Sequence, residues 1–179
     1  MMNRMVRAAC TAAVVMTAGI AQAQESNNQV AVKTDWSVFT ENNPKECWAV
    51  SVPKETVNIK DGKPATVRRG DIQMLVTFRP GSAPEVSFTG GYPFASGSTV
   101  KMDIDGNTFQ LVPGTTSPEN EWAWPQADGA QNDAAILAAM QKGNSAVMSA
   151  RSGKGTQTKD TFSLRGFTAA MDEAAKRCK

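Results

Sequence analysis

The chain has 179 residues, with 19 Lys and Arg against 17 Asp and Glu, 41% apolar residues, three cysteines and no histidine. The lack of histidine excludes Ser-His-Asp and Cys-His catalysis, the common zinc sites, and the side chain that usually moves protons near neutral pH. The length suits one domain with its own core and is short for two.

Arg4 and Arg7 form a positive start, Ala8 to Ile20 is apolar and largely small, and Ala21-Gln22-Ala23 fits an A-x-A cleavage pattern. Residues 1–23 are therefore expected to be a signal peptide cut between Ala23 and Gln24. The apolar run is too short for a spanning helix, and no later stretch reaches the roughly 20 apolar residues that one needs. Cys10 has no apolar run before it, which argues against a lipoprotein anchor. The predicted mature chain is exported, and soluble or peripherally attached. Losing Arg4 and Arg7 with no acid leaves 17 basic and 17 acidic residues. That balance gives no argument for nucleic acid or for an anionic membrane surface.

Cys10 leaves with the signal. Cys47 and Cys178 remain, an even pair in an oxidising compartment. One disulfide is expected; two buried free thiols are the alternative. In the chain-entropy model a loop of this length corresponds to about 4–5 kcal/mol.

Residues 24–33 are polar and read as a flexible N-terminal arm, with one β-rich domain over 34–179. Asp35–Thr40 and Glu46–Val52 alternate as strands, the second with both faces apolar enough for a central position. Trp36 and Trp48 are assigned to the core. Residues 54–70 are a long polar loop with one short strand near Val57–Ile59. Asp71–Arg79 and Glu85–Thr89 are strands. Ser98–Val112 is a hairpin about Asp105-Gly106. Trp122–Pro125 is a short extended piece. Asn132 or Asp133 caps a helix near 133–142 that Gly143 stops. Ser145–Ala150 and Thr161–Leu164 are strands. A second helix follows near 166–178, with Phe167, Ala170, Met171, Ala174 and Cys178 on one face. Seven to nine strands joined mostly by hairpin turns predict a mainly β fold. The form is an antiparallel β-sandwich or curled sheet with the two helices packed on it.

Several motifs have simple structural explanations. Ser51-Val52-Pro53-Lys54 fits S-x-x-K, but it straddles a strand end and a proline, which separates the serine from the lysine. Gly153-Lys154-Gly155-Thr156 is part of a phosphate-loop pattern and reads as a tight turn. Asp103-Ile104-Asp105-Gly106 begins like a calcium loop and lacks the later ligands. Arg68-Arg69 reads as a solvated turn, with contact to an anionic group as the other reading. Trp122 and Trp124 share a strand face, so they form a candidate binding platform for a sugar or a proline-rich partner, unless they pack on the core. No catalytic, cofactor or metal residues are assigned.

The closing D-T-F-S-L-R-G-F-T-A-A-M at Asp160–Met171 with Cys178 resembles the invasion-associated locus B family of alphaproteobacterial envelope proteins. Asp35-Trp36 followed by the Cys47-Trp48 strand, and the helix–Gly–strand at 133–149, are similar as well. The resemblance implies an exported protein of the periplasm or outer membrane, or a secreted one, linked in some pathogens to host-cell invasion. It carries no catalytic residues. A non-enzymatic binding or accessory module is expected, with an envelope or host protein or a glycan as partner. The alternatives are a carboxylate-based glycan hydrolase around Glu119 or Glu121 and a periplasmic chaperone or inhibitor-like module.

Overall fold

A computed structural model describes residues 28–126 and 132–179. The predicted signal peptide, its Ala23–Gln24 cleavage point and the start of the predicted arm lie outside these residues. The strands are β1 (Gln29–Lys33), β2 (Trp36–Asn42), β3 (Lys45–Ser51), β4 (Glu55–Lys60), β5 (Lys63–Pro64), β6 (Gln73–Phe78), β7 (Glu85–Thr89), β8 (Val100–Ile104), β9 (Asn107–Pro113), β10 (Trp122–Pro125), β11 (Ser145–Arg151) and β12 (Gln157–Ser163). The helices are α1 (Asp133–Lys142) and α2 (Phe167–Arg177), and a 3-10 turn spans Glu119–Glu121.

All twelve strands join one open sheet in the order β1-β2-β3-β6-β7-β10-β9-β8-β11-β12-β4-β5. Every pairing is antiparallel. The sheet curls so that strands distant in this order meet. Phe88 of β7 packs edge-on against Phe162 of β12, with ring centroids 6.1 Å apart. Trp36 of β2 donates its indole N–H to the Ser163 carbonyl at 3.0 Å. One face of the sheet thus becomes the core, lined by Val38, Ala49, Met74, Val76, Met102, Leu111 and Met148, all fully buried. The expected curled, mainly β fold with two helices is what the chain forms.

Two strands were not foreseen. Gln29–Lys33, expected in the flexible arm, pairs with β2 from Gln29↔Phe39 to Lys33↔Trp36. Val30 and Ala31 pack against the core, and the ladder satisfies backbone groups that a free arm would leave to water. β5 is a two-residue return that pairs Lys63 with Lys60.

The facing of β3 also corrects the expectation for Trp48. Cys47, Ala49 and Ser51 point inward and are nearly or fully buried, while Trp48 and Val50 are half-buried on the outer face. The cause is parity. Strand side chains alternate, and Cys47 must face inward to reach Cys178. The two are disulfide-bonded, with Cα atoms 5.7 Å apart and a separation of 131 positions in sequence.

The helices cover one end of the curl. Asn132 caps α1 by accepting from the Ala135 amide at 3.1 Å, and Asp133 accepts from the Val86 amide at 2.6 Å, tying the helix to β7. Ile136, Leu137 and Met140 are its buried face. On α2 the predicted stripe is buried throughout: Phe167, Ala170, Met171, Ala174 and then Cys178. Phe167 meets Trp36 edge-on at 4.9 Å. Gly166 makes the corner between β12 and α2 at φ +89°, and a Cβ there would run into the Lys33 carbonyl. Only glycine combines that dihedral with so close a backbone approach.

The Asp105-Gly106 turn is a fastener as well as a hairpin. The Asp105 carboxylate accepts from the Asn144 amide at 2.7 Å and from the Ser145 amide at 3.3 Å. It thereby joins the β8–β9 turn to the α1–β11 link. Asp103 accepts from the Gly106 amide and the Thr108 hydroxyl. The hairpin's own donors use these oxygens, so the segment is a turn.

Two outcomes follow. Non-reducing digestion of exported protein should yield a Cys47–Cys178 crosslinked peptide, and Cys178→Ser should lower the urea-unfolding free energy by about 2–5 kcal/mol. Two free thiols in exported material would contradict the pairing. Asp105 titrates below its ordinary 3.8, chiefly because the Asn144 amide donates to it. A lowered folded-state pKa adds stability above the unfolded value and loses it as pH falls through the folded value. Asp105→Asn should therefore melt earlier than wild type at pH 6, with the gap narrowing below pH 3.8. A gap that stays constant down to pH 2 would contradict this assignment.

Candidate ligand-binding groove

The connection from β5 back to β6 crosses the end of the curl away from the helices and carries Arg69. Its backbone lies directly on the turn after β7: the Gly70 amide donates to the Gly91 carbonyl at 2.8 Å. Gly91 sits at φ +72°, where a Cβ would collide with the Gly70 backbone. This contact aims the Arg69 side chain inward.

Arg69 and Asp160 form a bidentate pair, Nη1 to Oδ1 at 2.8 Å and Nη2 to Oδ2 at 2.6 Å. The two side chains are 6% and 0% exposed. Arg69 Nε also donates to the Gly90 carbonyl at 2.8 Å, and Nη1 to Asn58 Oδ1 at 3.2 Å. The guanidinium lies 5.0 Å from the Tyr92 ring centroid. Tyr92 and Thr158 hydroxyls are hydrogen-bonded at 2.5 Å. Burial pushes the Tyr92 phenol up, partly opposed by the Thr158 bond and the Arg69 charge. Arg69 thus corrects the expectation of a solvated Arg68-Arg69 turn. Arg68 is exposed as expected, but Arg69 is a core residue whose partner lies 91 positions away.

Above this pair is an open groove of about 690 Å³. Lys60, Arg68 and Lys154 bring positive charge to it, and Glu121 is the acid among its lining residues. Gly153-Lys154-Gly155-Thr156 forms one side as the tight turn between β11 and β12. Ser152 N–H donates to the Thr156 carbonyl at 2.9 Å, and Thr156 N–H to Ser152 Oγ at 3.1 Å.

The tryptophans lie elsewhere. Trp122 and Trp124 are half-buried on the outer face of β10, flanking the fully buried Ala123. Trp122 registers with Thr89 of β7 and Trp124 with Val112 of β9. Trp48 on β3 and Leu75 on β6 occupy the same outer face, three and two strands away from β10 across β7. Thr77, Ser87 and Thr89 beside them are each 5% exposed, shielded by the larger side chains around them. Trp122 directly follows Glu121 in the chain, and neither indole is among the residues that line the groove.

The remaining motifs resolve locally. Ser51 donates to the Asp35 carbonyl at 2.9 Å, while Lys54 pairs with the Asp35 carboxylate at 2.6 Å. Serine and lysine therefore bind different groups of one residue and not each other. Glu119 accepts from the Thr116 hydroxyl at 2.6 Å, and that bond holds its carboxyl below the usual range.

Removing one partner of a buried ion pair strands the other charge. Asp160→Asn should therefore cost about 3–5 kcal/mol in denaturant unfolding, whereas Arg69→Met with Asp160→Leu should recover most of that loss. Equal destabilisation by the single and double replacements would contradict this account of the pair.

The model of the Invasion associated locus B (IalB) protein family matches residues 36–175. The crystal structure of invasion associated protein B from Bartonella henselae is similar, with a TM-score of 0.55 and 14% sequence identity, over 82% of this chain and 95% of that one. At such identity the likeness concerns the fold. No functionally curated protein matches the chain. The family match begins at the first residue of β2 and ends inside α2, and the chain belongs to the invasion associated locus B (IalB) family.

Proposed function

We propose that this chain is an exported cell-envelope protein of the periplasm or outer membrane that acts by binding and not by catalysis. Membership of the family and an internal disulfide support export. Among the described residues no helix is long and apolar enough to cross a membrane. Attachment to a membrane would thus be peripheral unless strands are involved.

The observation that carries the reading is the groove floor. Both oxygens of Asp160 are taken by Arg69, and the guanidinium is further held by Gly90 and Asn58. These groups fix a shape and leave no reactive atom exposed. A rigid floor beneath mobile-ended lysine and arginine side chains suits recognition, because less ordering is needed on binding. Trp122 and Trp124 are a second contact in this proposal, a platform for a glycan ring or a protein partner. The hydrolase alternative is disfavoured at Glu119, whose bond to Thr116 holds it charged, the wrong state for a general acid. The chaperone-like alternative has one observation in its favour. Among the described residues β1 ends the sheet order with no further strand beside it, and its Val32 is 58% exposed.

Crosslinking pull-down from intact envelopes tests the proposal with two double variants, Arg68→Gln/Lys154→Gln and Trp122→Ala/Trp124→Ala. Loss of captured partner in the first, and weakening in the second, is the expected result. Capture unchanged in both would sink the groove and the platform together.

A further inference from the structure

We propose that the groove above Arg69 binds a small saccharide carrying a phosphate or carboxylate group, an inference that rests on the groove being the ligand surface. Charge is the first observation. Arg69 is neutralised by Asp160. Lys60, Arg68 and Lys154 have no acidic partner among the described residues, so three cations face the single carboxylate of Glu121. Lys60 is not a loose surface charge. Its ammonium donates to the Lys154 carbonyl at 2.8 Å, which holds β4 and the β11–β12 turn together at the groove and leaves two of its hydrogens for a ligand. Coulombic attraction in such a recess exceeds that on a flat surface, because less water screens it.

Hydroxyl groups are the second observation. Ser152 and Thr156 line the groove and are only 7% and 6% exposed. Ser152 Oγ accepts from the Thr156 amide, and its own proton has no acceptor among the described residues. The Thr156 hydroxyl likewise has no partner among them. Tyr92 and Thr158 share one hydrogen bond between two hydroxyls, so one of their protons is also left over. These hydroxyls are not sealed in, since Asn120 Oδ1 is the one buried side-chain polar atom without a partner among the described residues, so the spare protons open onto the groove and are available to a ligand.

The remaining lining includes Val67 and Pro93. Apolar surface interleaved with hydroxyl donors matches a sugar, whose C–H faces alternate with hydroxyl acceptors. The volume of about 690 Å³ lies within the range of small-ligand sites. A bare inorganic anion would meet the cations and leave the rest of the groove empty. A neutral sugar would leave three cations unanswered.

The test is calorimetric titration of the mature, disulfide-bonded protein with glucose 6-phosphate, glucuronate, glucose and inorganic phosphate. Glucose 6-phosphate or glucuronate should bind about tenfold or more tightly than glucose and than inorganic phosphate, and the affinity should fall as salt rises. Arg68→Gln/Lys154→Gln should weaken that binding about tenfold with the melting temperature unchanged, since both side chains are exposed and unpaired. Glucose binding as tightly as glucose 6-phosphate, inorganic phosphate matching the sugar phosphate, or no binding of any probe at about 10 mM would each overturn the proposal. If the saccharides fail while envelope capture still depends on Arg68 and Lys154, the ligand class falls and the binding reading stands. If neither experiment depends on those residues, the ligand class and the groove both fall, and the binding reading then rests on the Trp122→Ala/Trp124→Ala result alone.

Discussion

Two charges that have given up almost all their water hold one end of this molecule closed. Arg69 reaches Asp160 on β12 and Asn58 on β4, and also the Gly90 carbonyl after β7. In sheet order β7 and β12 are five positions apart. One guanidinium therefore fastens both layers of the curl. Burying the pair is tolerable only because every charged atom has a partner. The path of the β5–β6 connection, the glycine at 91 and the shape of the groove floor all follow from delivering that side chain to that place. At the end covered by the helices a different fastener acts, the Cys47–Cys178 bond beneath α2. An open sheet, which could splay, is secured at each end by a device suited to its surroundings.

Local features of this architecture were legible in the sequence. Asp105-Gly106 marks its hairpin because a two-residue turn favours those residues. Asn132 and Gly143 bracket α1 because helix ends need a cap and a stop. The α2 stripe follows from helical period alone. Long-range features were not legible. Nothing near Arg69 separates it from Arg68, since both sit in a polar, glycine-bounded stretch and the difference lies in Asp160, far along the chain. Trp48 looks like core on hydropathy, but the cysteine beside it owns the inward direction. Gln29–Lys33 is polar enough to pass for an arm, and only the exposed edge of β2 makes a strand of it.

The candidate site shows the same division. Aromatic residues draw attention in a sequence because they are few and large, and Trp122 and Trp124 do share a face as their spacing implies. The groove has no such signature. Lys60, Arg68, Tyr92, Ser152 and Lys154 come from four separate segments, and each is ordinary where it stands. Their grouping is a product of topology: β4, the β5–β6 connection, the turn after β7 and the β11–β12 turn all finish at one end. The family match names a lineage and an architecture, while the chemistry of recognition belongs to this chain's own loops.

The disulfide carries a consequence for how the domain comes into being. Every strand from β4 to β12 is made between its two cysteines. The Cys47 thiol therefore waits for its partner through nearly the whole of the remaining synthesis. Until α2 arrives, that thiol can be reached by oxidants and by other chains. A molecule that stops short keeps a reactive sulfur where a finished one has an inert bridge. Thiol reactivity at Cys47 thus distinguishes complete from incomplete chains.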